Sequence, residues 1–278
     1  MTQKDVYCIA ELGINHSGSM ELCKQLIDVA VDAKADAIKL QKRTIDRVYT
    51  QAELDKPRES PWGTTTRQQK EGLEFSYEQY AEISRYCAVA GIQWSASCWD
   101  ELSVELIAAF QPPWVKIPSA LLTNAPLLRV YRKTGLPLIA STGMSSIPEI
   151  DAAVEQLGGC GNPNLTLLHC CAAYPAPVDA LNLLCIPWMR GRYGVRVGYS
   201  SHTVSPWPVL AAVALGAEVV EAHLTLDRSA YGSDQSSSLE PKAFSKMVEE
   251  IRTIEKALGD GKKRVHPSEE PIKAKLRK

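Results

Sequence analysis

The chain has 278 residues, 45% hydrophobic and 23% charged, an ordinary globular composition whose length suits two average domains or one large α/β barrel. A net charge of −1 argues against a nucleic-acid surface, though it leaves room for a local basic pocket. No apolar run approaches the roughly 18 residues of a membrane helix, and the start MTQKDVYCIAEL lacks a signal-peptide pattern because Glu11 breaks its short apolar stretch, so a cytoplasmic protein without membrane partners is expected.

In chain order, short apolar runs alternate with segments of helical periodicity. The strand candidate Val6–Ala10 leads into a helix near 20–34, where Leu22, Leu26, Val29, Ala30 and Ala33 share one face. The strand Ala37–Leu40 follows, then a long polar stretch, 42–76, read as a lid or substrate loop because loops of such length are usually functional. A helix near 77–90, the strand Gln93–Ser97 and a helix near 101–110 come next, followed by Trp114–Ile117 and a helix near 124–133. Leu136–Ser141, a helix near 147–157 and Leu165–Cys170 continue the alternation. The crossover 177–190 is Pro-rich and reads as a long loop with one short helical stretch. Val195–Tyr199, a helix near 206–215, Glu218–His223 and a helix near 242–258 complete it. From Gly259 onward the chain is charged, contains Pro267 and Pro271, lacks apolar periodicity and reads as a frayed tail.

Strands separated by helical crossovers imply a parallel sheet. Eight such units in about 250 residues favour a closed (β/α)8 TIM barrel, an α/β single domain over 1–260 with a tail at 261–278. No GxGxxG follows the first strand, which lowers the case for a dinucleotide fold. The eight cysteines show no CxxC spacing and fall mostly in apolar runs, so buried reduced thiols are expected.

Position carries the functional reading. Polar residues collect where the strands end: Glu11 with Asn15 and His16, Lys39 and Gln41, Ser95 and Ser97, Lys116 and Ser119, Ser141 and Thr142, His169 and Tyr174, Ser200, Ser201 and His202, Glu221 and His223. In a barrel those ends converge on one mouth, where catalysis is housed. A lone Ser or Thr there is more often a helix cap, but eight strands ending this way are hard to credit to capping. Lys39 and Lys116 sit inside apolar strands (AIKLQ, WVKIPS), and a buried ammonium needs a paired anion or loses its proton. Beside Ser97 and Ser119 they suggest a phosphate or carboxylate cradle; internal ion pairs with Glu11 and Glu221, or a Schiff-base amine, are the alternatives. His202 and His223 end successive strands and suit a divalent ion with open positions. His16 reads as part of the first loop, His169 as packed beneath the mouth and His266 as solvent-exposed. Asp234 could hydrogen-bond a polyol or cap a turn. The six tryptophans read as packing residues, with Trp62 and Trp99 near mouth loops.

These stretches resemble the sialic acid synthases (N-acetylneuraminate and related nonulosonate synthases). The matching runs are IAELGINHSGS, IKLQ, PWGTT with LEFS, WVKIPSALLTN, PLIASTGM, LLHCCAAYPAP, GYSSHT, VVEAHLTLD and GSDQSSSLEP, in order along almost the whole chain. The resemblance implies a (β/α)8 barrel that condenses phosphoenolpyruvate with an N-acetylated aldose such as N-acetylmannosamine, using manganese or magnesium and acting as a homodimer. It implies that His202 and His223 bind the metal, and that Lys39, Ser97, Lys116, Ser119 and Ser200 hold phosphoenolpyruvate with Gln41 nearby. Glu11 and Glu221 would lie beside the reacting centre, forming the catalytic set with Lys116, while Tyr174 and Asp234 would face the sugar. The sequence departs from the family pattern at Ser201 (usually Asp), Leu121 (often Glu), Ala172 (often Asn) and Ser233 (usually Pro), which bears on sugar specificity. The resemblance implies that family members continue into a small antifreeze-like domain, and this sequence stops near Lys278, where that domain would begin. Two other readings stand beside this one. A synthase for a phosphorylated aldose, of the deoxy-octulosonate or deoxy-heptulosonate phosphate type, needs a second phosphate site, and the sequence shows no second basic cluster beyond Lys42, Arg43 and Arg47. A non-catalytic sugar-acid-binding barrel would leave two buried lysines and two histidines without a ligand to justify them.

Overall fold

A computed structural model describes residues 5–277. The elements run β1 (Tyr7–Gly13), α1 (Met20–Asp32), β2 (Ala37–Lys42), α2 (Ile45–Val48), α3 (Gln51–Leu54), β3 (Pro57–Ser60), β4 (Gly63–Thr65), α4 (Thr66–Leu73), α5 (Tyr77–Ala90), β5 (Gln93–Cys98), α6 (Glu101–Ala109) and β6 (Val115–Ile117). They continue with α7 (Ala125–Lys133), β7 (Leu138–Ser141), α8 (Ile147–Gln156), β8 (Leu165–Cys170), α9 (Cys185–Tyr193), β9 (Arg196–Ser201), α10 (Trp207–Ala214), β10 (Val219–His223), α11 (Pro241–Leu258) and α12 (Glu270–Leu276). Strands β1, β2 and β5 to β10 close into a parallel barrel in sequence order, β10 pairing with β1 through Tyr7–Val219 and Glu11–His223. The (β/α)8 barrel expected from the alternation is therefore the fold, and each of the eight expected strands is one of its staves.

Alternation along the strands sorts the residues. One parity faces the helices and joins the main core: Cys8, Ala10, Ile38, Leu40, Ala96, Val115, Ile117, Leu167, Val197 and Val220. The other parity faces the axis. At the floor Ile9, Ala37, Trp114, Ile139, Leu168 and Val219 pack into a separate apolar layer. Two residues further along each of those strands stand Glu11, Lys39, Lys116, Ser141, Cys170 and Glu221. The same columns thus turn from apolar to polar within one pleat, which fixes both the floor of the barrel and the start of its mouth.

Helix ends follow local chemistry. Ser19, Asp100 and Asn124 accept first-turn amides, Ser76 forms a capping box with Gln79, and Gly91 ends α5 in the left-handed conformation.

Two expectations, for the 42–76 stretch and for the tail, are corrected, and the crossover after β8 holds the short helical stretch expected of it. The 42–76 stretch is folded rather than an open loop: α2, α3, the β3–β4 hairpin and α4 follow one another there. Capping boxes at Thr50–Glu53 and Thr65–Gln68 start two of those helices, and Trp62 lies against Gly72, where an added Cβ would come within 2.1 Å of the indole. The crossover after β8 carries a nine-residue helix, α9, with Pro187 in its first turn, where the missing amide has no intrahelical partner to lose. The tail forms the exposed helix α12, with Pro271 in its first turn starting rather than breaking it. All eight cysteines are free, and none of the described helices is long and apolar enough to cross a membrane.

Candidate active site at the barrel mouth

The strand C-termini enclose a cavity of 170 Å³ lined by Glu11 (β1), Lys39 and Gln41 (β2), Ser97 (β5), Lys116 (β6), Ser141 (β7), Cys170 (β8), Ser200 (β9), and Glu221 and His223 (β10). Loop residues Trp99, Ser119, Met144, Ala172, Tyr174 and His202 complete the wall. Beside it, Ser141 Oγ, Glu221 Oε2, His223 Nδ1 and Trp99 Nε1 are buried without a hydrogen-bond partner among the described residues. Buried polar atoms are seldom left so, and several around one cavity point to a polar ligand.

At the base lies a quartet of two ammoniums and two carboxyls. Lys39 Nζ is 2.8 Å from Glu11 Oε2 and 3.5 Å from Glu221 Oε1, and it donates to Ser97 Oγ at 2.7 Å. Among the described residues Lys116 Nζ reaches only Glu221 Oε1, at 3.3 Å, and Ser200 donates to the same oxygen at 3.1 Å. All four charged side chains are almost wholly buried. Burial pushes Lys39 down, but Glu11 and Glu221 outweigh it and hold the ammonium charged. Burial lowers the pKa of Lys116, and the neighbouring Lys39 ammonium adds to it, against the opposing pull of Glu221 and Glu11. Glu221, pulled by Lys116 and Lys39, stays below the usual carboxylate range despite burial, whereas burial raises Glu11 against the opposing pull of Lys39. The internal ion pairs weighed from the sequence are therefore present. They leave Lys116 with donors to spare, and they leave Glu11 as the carboxyl best able to exchange a proton.

Glycine is required beside this quartet. Gly13 adopts φ +52°, and a Cβ there would lie 3.0 Å from Asp234 Oδ2 and 3.1 Å from Gln41 Nε2. Gly143 donates its amide to Ser119 Oγ at 3.1 Å, and a Cβ would crowd both that hydroxyl and Cys170 Sγ at 2.9 Å.

The two mouth histidines come together with ring centroids 5.5 Å apart. His202 Nδ1 is 2.7 Å from the Cys171 carbonyl, which can only accept, so the ring proton sits on Nδ1 and the lone pair on Nε2. Burial, reinforced by His223, lowers its pKa to about 3, which keeps the imidazole neutral. A ring oriented by a carbonyl with an unprotonated Nε2 is what a metal ligand requires. Tyr174 Oη lies 2.9 Å from that Nε2. His223 Nδ1 stands 3.9 Å from Asp234 Oδ2, too far for a hydrogen bond. Among the described residues no group of three or more His, Cys, Asp and Glu is arranged around a single metal position. A neutral, oriented His202 ring beside His223 could hold a divalent ion between two imidazoles, which would leave its other positions to water and substrate.

Glu11, Lys39, Gln41, Ser97, Lys116, Ser119, Tyr174, Ser200, His202, Glu221 and His223 all reach the cavity wall. Asp234 stands behind it, 3.4 Å from Gln41 Nε2. Ser95 turns below the mouth to the Trp114 carbonyl, Asn15 binds the Leu224 carbonyl, and His16 is buried against Phe75 with centroids 4.1 Å apart. His169 faces outward to the Leu181 carbonyl, away from the barrel interior. Thr142 serves the Leu168 carbonyl and Ser201 contacts Thr203. Of the departures, Ala172 lines the cavity, while Ser201 and Leu121 do not and Ser233 donates to Asp234 at 2.8 Å. Sequence reasoning placed Ser141 at a strand end but not among the binding residues; its parity with Lys116 and Glu221 was the available signal. Trp99 and Met144 enter from loops, where no periodicity announces orientation.

A closed parallel barrel whose C-terminal mouth gathers buried ionisable groups and unpaired polar atoms is a (β/α)8 barrel enzyme. Within that class the chain belongs to the NeuB family, which it matches over residues 26–263. It is 37% identical to N-acetylneuraminate-9-phosphate synthase of Homo sapiens across 99% of this chain and 77% of that protein. It is 36% identical to N,N'-diacetyllegionaminic acid synthase of Campylobacter jejuni across 96% of this chain and 81% of that protein. The crystal structure of the N-acetylneuraminic acid synthetase of Leptospira borgpetersenii, in complex with citrate, superposes with a TM-score of 0.86 at 30% identity, covering 99% of this chain and 94% of that one. A truncated 3-deoxy-D-arabino-heptulosonate 7-phosphate synthase of Thermotoga maritima shares the fold at 15% identity and a TM-score of 0.70. The chain is thus a synthase of the class to which its sialic-type relatives belong.

Proposed function

We propose that the protein condenses phosphoenolpyruvate with an N-acetylated aldose resembling N-acetylmannosamine, giving a nonulosonic acid and phosphate. The observation that carries this reading is the buried Lys39–Glu11–Glu221–Lys116 quartet beneath an otherwise polar cavity. With both carboxyls ionised the quartet is neutral; once Glu11 takes a proton it carries one net positive charge, so an anionic substrate and a proton on Glu11 favour each other. Lys116, with donors to spare, and Lys39 hold the phosphate and carboxylate of phosphoenolpyruvate, with Ser97, Ser119, Ser141 and Ser200 as neutral donors. His202 and His223 hold manganese or magnesium, which supplies a Lewis acid for the aldehyde oxygen when bound. C3 of the enol forms a bond to the aldehyde carbon, whose oxygen takes the proton carried by Glu11 and leaves that residue a carboxylate. Water adds at C2 and gives up a proton to a carboxylate, for which Glu11 is the candidate. The bond between C2 and the phosphate-ester oxygen then breaks, the C2 hydroxyl proton goes to the departing phosphate, and the keto acid remains. Tyr174 and Asp234, with Gln41, orient the sugar. Residues 1–260 form the catalytic barrel and 261–278 an appended tail, and the enzyme acts in the cytoplasm as a homodimer.

Phosphate release from phosphoenolpyruvate, measured across N-acetylated hexosamines with and without manganese, tests the reading. Manganese-dependent release with at least one acceptor is expected. No release with any of them removes it.

A further inference from the structure

Asp234 lies in the loop between β10 and α11, outside any strand or long helix, yet its place is fixed by a buried polar relay from the turn after β1. Asn15 Nδ2 donates to the Leu224 carbonyl at 2.9 Å and to Ser238 Oγ at 2.9 Å. Ser238 Oγ in turn donates to the Asp234 carbonyl at 2.7 Å. The direction of the relay is set at both ends. A carbonyl only accepts, so the Ser238 proton goes to Asp234 and its lone pair is left for Asn15. The Leu224 carbonyl demands the amino side of the Asn15 amide in the same way. That orientation leaves Asn15 Oδ1 buried with no partner among the described residues, a desolvation cost that the two donated bonds must offset. The Asn15 carbonyl also accepts from Gln235 Nε2 at 3.2 Å, which ties the next residue of the loop to the same turn. Asn15, Gln235 and Ser238 are all buried, and none of them lines the cavity.

The same turn also backs the Asp234 carboxylate. Asn15 donates its amide to the Leu12 carbonyl at 2.8 Å, and between them Gly13 passes so close that a Cβ there would lie 3.0 Å from Asp234 Oδ2. Ser233 donates to Oδ1 at 2.8 Å, and Gln41 Nε2 stands 3.4 Å from Oδ2. One turn thus holds the residue by its backbone, through Ser238, and limits where its side chain can go. We propose that Ser238, anchored by Asn15, is a positioning residue for the acceptor sugar: it sets where the Asp234 carboxylate stands, although neither residue reaches the cavity. This rests on the reading above that Asp234 orients the sugar, and it adds the residues that place that carboxylate. A hydrogen bond weakens steeply as its length and angle depart from the optimum, so a small drift of the Asp234 backbone is felt at the sugar. Phosphoenolpyruvate, held by the lysines and the serines on the other strands, is untouched by such a drift.

The test is steady-state kinetics with manganese saturating and with the N-acetylated hexosamine that the phosphate-release assay selects. The proteins compared are the wild type, Ser238→Ala, Asn15→Ala, Asp234→Ala and Asp234→Ala/Ser238→Ala. Ser238→Ala removes one hydroxyl and adds no volume, and KM is independent of how much of a preparation is folded. Its KM for the acceptor should rise about fivefold, the worth of one neutral hydrogen bond, with KM for phosphoenolpyruvate nearly unchanged. Asn15→Ala should show the same split. Asp234→Ala should raise the acceptor KM by at least about tenfold, and adding Ser238→Ala to it should change that value by less than about twofold, since no carboxylate remains to be placed. A purely structural role for Ser238 predicts the same factor in both backgrounds, and that result overturns the proposal. So does a wild-type acceptor KM in Ser238→Ala, or an equal rise in KM for phosphoenolpyruvate. A wild-type acceptor KM in Asp234→Ala overturns the proposal and leaves the condensation standing. Absence of turnover by the wild type with every acceptor overturns both.

Discussion

The hydroxyl of Tyr174 sits 2.9 Å from Nε2 of His202, the two rings stacked with centroids 4.0 Å apart. Since the Cys171 carbonyl fixes the ring proton on Nδ1, Tyr174 donates to the lone pair that a metal would use. Phenol and metal compete for one atom. Tyr174→Phe removes the competitor, and a hydrogen bond of this kind is worth about 1 kcal/mol, or roughly fivefold. Manganese should bind the variant a few times more tightly by calorimetric titration, while His202→Ala and His223→Ala should lose both turnover and most of the affinity. Wild-type affinity in both alanine variants would remove the metal assignment.

Lys39→Met and Lys116→Met should raise KM for phosphoenolpyruvate roughly tenfold to a hundredfold and that for the sugar much less. Lys39→Met carries a further consequence, because it strips Glu11 of its 2.8 Å partner inside the barrel. Breaking a buried pair from one side costs about 3–5 kcal/mol, and neutralising the survivor recovers part of it. Lys39→Met/Glu11→Gln should therefore melt above Lys39→Met in a thermal scan. A double variant that melts no higher would show that the pair is not coupled. Borohydride trapping decides the Schiff-base alternative, and no covalent adduct on either lysine is expected.

Residues 42–76 are folded and docked at the mouth, with Trp62 against Tyr231 at 5.9 Å and the Tyr231 hydroxyl on the Glu59 carbonyl. If the segment closes further over bound substrates, its amides should exchange more slowly with phosphoenolpyruvate and manganese present. Hydrogen exchange by mass spectrometry measures this; equal exchange in both states would make the segment a fixed wall.

His16 gives a pH dependence that can be isolated. Burial lowers its pKa from 6.5 to about 3, and the ring accepts the Gly18 amide on Nδ1 at 3.1 Å. The unfolded chain takes up the proton first as pH falls below its own value, so this share of stability is complete above pH 6.5 and is lost on acidification toward the folded value. At pH 4.5 the loss amounts to about 2–3 kcal/mol. His16→Gln keeps an acceptor for Gly18 and has no such proton. The gap between wild type and variant in urea-unfolding free energy should shrink by that amount between pH 7 and 4.5. The pKa of His169 is lowered in both proteins and cancels. A gap that does not change with pH would refute the assignment.

The sequence by itself determined the barrel and the position of its mouth. Eight apolar runs, each separated by a helical segment, admit few other parallel architectures, and the strand-end residues Glu11, Lys39, Lys116 and Glu221 share the parity of the floor residues Ile9, Ala37, Trp114 and Val219 two places before them. That much is local periodicity, which a sequence carries openly. Only the tertiary structure decided how the charges are shared: that Glu221 answers both lysines, that Lys116 keeps spare donors, that Tyr174 occupies the lone pair of His202, and that Asp234 stands behind Gln41. It also decided that His169, one residue out of parity with the interior positions Leu168 and Cys170 on its two sides along β8, turns outward to the Leu181 carbonyl. The 42–76 segment was the least legible part, because short helices held by capping boxes leave no apolar repeat, and its cations are scattered along the sequence.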